Sequence, residues 1–570
     1  MRSAGKGKQR VSGDGHAWWE DAIVYEVYPR SFADTDGNGV GDLPGLRSRL
    51  PYLADLGVDA VWLTPFYPSP LADGGYDISD YLAVDPLLGT MADFDGLVKD
   101  AETHQIRVIV DLVPNHCSSE HPLFRAALAA PPGSRERARF IFREGRGEHG
   151  ELPPNNWLSM FGGIAWTRVT EADGSPGQWY LHLFDTGQPD WNWRNEEVHA
   201  YFENVIRFWL DRDVAGLRVD VAHGMYKDLE LPDDPDPSHV LRPVNAPSAY
   251  NHQPELQVLY RSWRVILDSY PDDVFPGART AVGEVWYDVP ETLRPYLESR
   301  GLPQVFNFQL ILASWSVTGL RDAIDSMLAL AGGSRAPWVI GNHDVPRPVT
   351  RYQLDEGLTP DTMDRLISLG HARADVGVRR ARAAALLLLA LPGSAYIYQG
   401  EELGLPEVLD LPAAARRDPR FRRTGGRLIG RDGCRVPLPW TSAGADFGFS
   451  ETASPAPPWL PQPADWGRYS VEAQLASHGS FLSLYRAALR LRRDHPALGR
   501  GTLRWLGGPD DPQRAGLVCF AREPGFIFAL NLGDAPVPLP PHREVLLASE
   551  PEPLDPDGRL PRDVAVWLSG

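Results

Sequence analysis

Three acidic residues follow short apolar runs rich in β-branched side chains: Asp220 in GLRVDVAHG, Glu284 in AVGEVW and Asp344 in WVIGNHDVPR. Arg218 stands two residues before Asp220, and His343 adjoins Asp344. Two Asp and one Glu are the carboxyl groups that retaining cleavage of a glycosidic bond requires. One attacks the anomeric carbon, one protonates the departing oxygen, and a third grips ring hydroxyls. Taken singly, each motif is ordinary: an Asp two residues from an Arg on a strand is more often a structural ion pair, and Asn-His-Asp can close a turn. Their weight depends on whether the chain folds so as to bring them together.

The elements that would do so are legible. Eight strand-like runs stand at Ile23–Tyr28, Val58–Leu63, Arg107–Leu112, Gly216–Val221, Thr280–Val285, Val305–Phe308, Trp338–Asn342 and Ala395–Gly400. Several are apolar without alternation, as strands buried on both faces are. Amphipathic helical stretches lie between them, among them Leu46–Leu56, Phe94–Gln105 and His199–Asp211. This predicts an α/β fold, a (β/α)8 TIM barrel, in which chemistry-bearing groups sit at the C-terminal strand ends. The three acids obey that rule. So do Asp73 and Tyr76 after the second strand, and Asp111, Asn115 and His116 at and after the third.

Interruptions mark the domain plan. Residues 1–16 read as a disordered polar tail, and 17–116 with 193–498 as the barrel. Residues 117–192 form a small domain inserted after strand 3, and 405–466 a long loop excursion after strand 8. From 501 to 570 short alternating strands predict a C-terminal antiparallel β-sandwich. The run Ala383–Leu391 is too short to span a membrane and reads as a buried helix.

Composition narrows the partners. The net charge of −19 disfavours nucleic acid and anionic membranes but does not repel a neutral sugar. Three widely spaced cysteines, Cys117, Cys434 and Cys519, predict a reducing compartment rather than a disulfide framework. The N-terminus lacks an apolar secretory core. A cytoplasmic enzyme is therefore expected, without a membrane partner; nothing in the chain speaks to oligomeric state.

Together, DLVPNH, GLRVDVAHG, GEVW and GNHD resemble the four ordered signature regions of the alpha-amylase family of glycoside hydrolases. YEVYPRSFADTDGNGVGDLPGL, QPDWNWRNEEV, YQGEELGLP and RDGCRVPLPW resemble its oligo-1,6-glucosidase and alpha-glucosidase branch, over about Trp18 to Leu498. The resemblance implies Asp220 as nucleophile, Glu284 as acid/base and Asp344 as transition-state stabiliser. It implies that Arg218 orients Asp220, that His116 and His343 donate to ring hydroxyls, that Tyr76 stacks under the sugar and that Phe161 walls the site. It also implies that Asp73 and Arg431 pair at the pocket floor and block the cleft, giving exo action. No organic cofactor is implied.

The loop DTDGNGVGD carries oxygen ligands at Asp34, Asp36, Asn38 and Asp42, with the Val40 carbonyl between them, near the spacing of a calcium loop. A plain Asx-rich turn has the same composition. The resemblance implies a structural Ca2+ there.

The expected activity is thus a retaining exo-alpha-glucosidase releasing glucose from short malto-oligosaccharides through a β-glucosyl-Asp intermediate, with transglucosylation open. Within this branch Val221 accompanies α-1,6 preference, whereas Ala222-His223 resembles actinobacterial-type α-glucosidases; the reading favours α-1,4 with breadth. Alternatives are an oligo-1,6-glucosidase, a trehalose synthase-type maltose isomerase, and, remotely, a non-catalytic transporter-associated relative.

Overall fold

All eight apolar runs form parallel strands of one sheet: β1 (Ile23–Val27), β2 (Ala60–Leu63), β3 (Arg107–Leu112), β4 (Gly216–Val219), β5 (Thr280–Gly283), β6 (Gln304–Val305), β7 (Pro337–Val339) and β8 (Ser394–Tyr398). Their order is β7-β8-β1-β2-β3-β4-β5-β6, a nearly closed barrel. Gln304 on β6 reaches Ser394 and Tyr396 on β8, at 2.8 and 3.3 Å, across the remaining gap. The computed structural model describes residues 16–238, 248–286, 290–297, 301–306, 308–331, 336–453, 455–507 and 516–570. The expected tail lies outside these, His16 excepted, as does Asn307 in the sixth expected strand.

Most strands end one or more residues before the expected boundary, β4 at Val219 and β5 at Gly283 among them. The helix expected over Leu46–Leu56 is two helices, Leu43–Ser48 and Leu50–Leu56. Pro51 lacks the N–H that would continue the first helix into the second, so the break falls at Arg49. Met91–Thr103 starts on a capping box made by Thr90 and Asp93, and Glu196–Leu210 on the Asn195 side chain. Ala374–Ala390 is the buried helix anticipated from its apolar run.

The insertion after β3 holds a three-stranded antiparallel sheet, Phe142–Arg143, Pro176–Leu181 and Trp166–Thr170 in that spatial order, over a core containing Trp157, Trp166 and Trp179. The C-terminal region forms a five-stranded antiparallel sheet and a two-stranded one. It docks on the Ala374–Ala390 helix: Trp567 Nε1 donates to the Leu386 carbonyl at 3.1 Å, and Arg380 pairs with Asp563 at 3.1 Å. Among the described residues no helix is long and apolar enough to cross a membrane.

Candidate active site

Parallel register places the first two acids. Val219 on β4 is opposite Gly283 on β5. The next residues, Asp220 and Glu284, therefore leave neighbouring strands at one level. Their amides continue the ladder, Asp220 N–H donating to Leu112 at 2.8 Å and Glu284 N–H to Val219 at 2.9 Å. Adjacent strands lie about 4.8 Å apart, so the two carboxyls start as close neighbours. Val221 then takes a left-handed φ of 44°, a conformation costly for a β-branched residue. That turn aims its N–H at Glu284 Oε2, 3.1 Å away. Trp286 Nε1 holds the other oxygen at 2.9 Å.

Arg218 binds the cluster from beneath. Its Nη1 lies 2.5 Å from Asp220 and 3.0 Å from Asp111, and its Nη2 lies 2.8 Å from Glu284. Three carboxyls thus share one buried guanidinium. Burial pushes Asp111 up to about 7 despite Arg218. Burial likewise raises Asp220, with Arg218 opposing and the Glu284 and Asp111 charges reinforcing it.

Asp344 is held differently. Arg431 and Arg435 reach its Oδ1 at 3.0 and 2.8 Å. Burial acts to raise its pKa, but His343, Arg431 and Arg435 together hold it well below the usual carboxylate range. Arg431 also pairs with Asp73 and Asp418, each at 2.6 Å. One guanidinium therefore joins the second βα loop, the turn after β7 and the excursion after β8. Left-handed Gly74 and Gly75 make the tight turn that puts both Asp73 and Tyr76 on the cavity.

Asp73, Tyr76, His116, Phe161 and Arg431 join the three acids around a single cavity of about 240 Å³. Arg218 is buried behind Asp220 and in contact with it. His343 departs from expectation. It does not line the cavity; its ring stacks on Tyr76 at 5.3 Å, and its nitrogens meet Tyr76 Oη at 2.7 Å and the Glu26 carboxyl. In this arrangement it braces the Tyr76 ring, and its Nε2 also lies 3.5 Å from Asp344 Oδ2.

Several contributors were not anticipated. Gln188 bridges Asp73 and His116 at 3.2 and 3.1 Å. Asp418 and Arg435 belong to a loop without periodicity. Glu26 stood as a carboxylate inside an apolar strand and within the quoted YEVYPRSF motif, without a role. His223 and Trp286 line the cavity beside Glu284 and lay within quoted motifs, without a role.

In the acidic loop Asp34, Asp36 and Asp42 bring carboxylate oxygens within 4.8 Å of one another. The all-oxygen donor set fits a hard cation. Burial and the Asp36 and Asp42 charges raise the Asp34 pKa, a repulsion that a cation would relieve. Asn38 Oδ1 accepts from Val40 N–H at 2.7 Å, so those two residues brace the turn.

The fold and site define a sugar-cleaving barrel. The model of the alpha amylase catalytic domain matches residues 26–501, and a domain of unknown function matches 503–567. The chain belongs to the alpha-amylase family of glycoside hydrolases, as an enzyme of alpha-glucosidase type. It is 36% identical to a probable alpha-glucosidase of Rhizobium meliloti, across 89% of this chain and 87% of that one. It is 35% identical to the trehalose-6-phosphate hydrolase of Escherichia coli, across 89% and 88%. The solved alpha-glucosyl transfer enzyme XgtA superposes with a TM-score of 0.82 at 34% identity, covering 97% of this chain and 100% of that one.

Proposed function

We propose that the protein is a retaining, exo-acting alpha-glucosidase that releases glucose from the non-reducing end of short malto-oligosaccharides. The observation that carries this reading is the Asp73–Arg431 pair at 2.6 Å, beside Asp344 on the cavity wall. Such a pair caps a sugar chain at its terminal unit and obstructs an open groove.

Asp220 attacks the anomeric carbon while Glu284 delivers its proton to the departing oxygen. Water then gives a proton to Glu284 and its oxygen to the anomeric carbon, freeing Asp220. Departure of two strands from one register level supports the close carboxyl spacing of about 5–5.5 Å that retention needs. Asp344, kept anionic, grips ring hydroxyls that bind more tightly as the ring flattens. Tyr76 supplies a face for the sugar, and His116 a donor.

The trehalose-6-phosphate hydrolase relative acts on a phosphorylated disaccharide. Here the wall near Glu284 offers Trp286, Val345 and Leu358, which favours a neutral leaving group. Likeness to an alpha-glucosyl transfer enzyme supports transfer to sugar acceptors as a second outcome of the same intermediate. Burial of Cys117, Cys434 and Cys519, far apart in the chain, supports a reducing, cytoplasmic setting. The loop at Asp34, Asp36 and Asp42 would hold a structural Ca2+, distant from the chemistry.

The test is end-blocked maltopentaose. A substrate blocked at its non-reducing glucose must resist the enzyme while one blocked at the reducing end is cut; equal cleavage of both contradicts exo action.

A further inference from the structure

The short helix Pro419–Arg423 carries three arginines that the mechanism does not use. Two are docked. Arg422 Nη2 donates to the Ala72 carbonyl at 2.5 Å, next to Asp73, and Arg423 Nε to the Gly162 carbonyl at 2.9 Å, next to Phe161. These bonds tie the helix across the cavity rim, to the loop after β2 on one side and to the inserted domain on the other.

Arg420, on the same helix, lines the cavity. Its guanidinium sits 5.8 Å from the Phe161 ring, beside Arg431 at 5.1 Å from the same ring. Among the described residues it has no hydrogen bond or ion pair from the guanidinium, and its Nε is a buried donor without a partner. Asp418 is engaged elsewhere: it accepts from Arg431 Nε at 2.6 Å, from Arg431 N–H at 2.8 Å and from Arg420's own N–H at 2.7 Å as the helix cap, and makes no bond to the Arg420 guanidinium. A partly buried guanidinium left without acceptors is costly, and the open direction is the cavity.

We propose that Arg420 is a second anchor for the terminal glucosyl unit, donating hydrogen bonds to ring hydroxyls from the wall beside Phe161 and the Asp73–Arg431 pair. The inference rests on the alpha-glucosidase reading of the cavity. Hydroxyl oxygens suit the site, because the charges at this end of the cavity are already matched, Asp73 and Asp344 pairing with Arg431 and Arg435. Placement beside Phe161 and the Asp73–Arg431 pair puts Arg420 with the sugar that is released.

Glucose binding by isothermal titration calorimetry, with Arg420→Ala and Arg420→Lys, tests this. Arg420→Ala should weaken glucose about tenfold or more, the scale of a charged hydrogen bond, and Arg420→Lys should restore part. KM for maltose and for 4-nitrophenyl α-glucoside should rise together, with kcat falling less. Unchanged glucose affinity with only a lower Tm would reduce Arg420 to a structural residue and overturn the proposal. A defect on maltose alone would move it to the leaving-group side and equally overturn it. Wild-type protein binding glucose 6-phosphate more tightly than glucose, with the difference lost in Arg420→Ala, would make it an anion site instead. Wild-type protein that binds glucose through Arg420 but hydrolyses neither substrate would support the anchor and overturn the alpha-glucosidase reading.

Discussion

Asp73 and Arg431 stand 358 residues apart in the chain and 2.6 Å apart in space. The contact joins a loop of the second βα unit to an excursion that begins after the last barrel strand. Asp73→Ala should therefore lower kcat/KM on maltose by about a hundredfold, the loss of a charged, buried contact to substrate. Arg431→Ala removes the shared partner of Asp73, Asp344 and Asp418, and should destabilise the fold by about 3–5 kcal/mol. Steady-state kinetics and thermal unfolding separate the two effects.

Glu284 has its two oxygens held by Val221 N–H and Trp286 Nε1, at 3.1 and 2.9 Å. If it is the proton donor, Glu284→Gln should depend on the leaving group. Hydrolysis of maltose should fall about 10³-fold or more. Release of 4-nitrophenolate, which needs no proton, should fall much less, with a burst visible in stopped-flow. An equal loss on both substrates would argue against the assignment.

The three carboxyls around Arg218 set the acid limb of activity. In the proposed mechanism Asp220 attacks as the ionised carboxylate; burial raises its pKa and the nearby Asp111 charge adds to the shift. Removing that charge in Asp111→Asn makes Asp220 easier to ionise. The acid limb of the kcat/KM–pH profile should then move to lower pH. A shift to higher pH would contradict the shared-guanidinium account.

Glu401 gives a stability prediction away from the site. Burial pushes it up to about 8, its Oε1 accepting from Tyr485 at 2.8 Å and its Oε2 lacking a partner. The folded state thus keeps a proton that the unfolded chain releases near about 4.3. Stability from this group is fully present below that value and falls as pH rises towards about 8. Glu401→Gln should match wild type in Tm near pH 4 and exceed it near pH 8, by melts at both values.

The acidic loop predicts a ligand effect. A chelator should lower Tm by a few degrees, as removal of a ligand bound only to the native state does. Calcium should restore it, and Asp34→Ala should be insensitive to both. Activity well below Tm should change little, because the loop has no contact with the three acids.

The barrel was legible because its strands are buried on both faces and so read as unbroken apolar runs. The acids were legible because barrel chemistry gathers at strand ends. What stayed hidden depends on direction and on loops. Asp418 and Arg420 lie in a stretch whose only sequence signal is an abundance of proline and arginine, and Arg435 lay within the RDGCRVPLPW motif without a role of its own. His343 adjoins Asp344 in the chain, yet adjacency says nothing of ring direction, and its ring turns to Tyr76 and Glu26. Pro51 was present to be read, and its break of the Leu46–Leu56 helix follows from the missing N–H.

The most direct measurement is 1H NMR of the first minutes of maltotriose hydrolysis. Retaining exo action predicts α-glucose as the first free monosaccharide, with maltose as co-product and β-glucose appearing only by mutarotation. β-Glucose at the outset would mean inversion and would contradict the assignment of Asp220 as nucleophile.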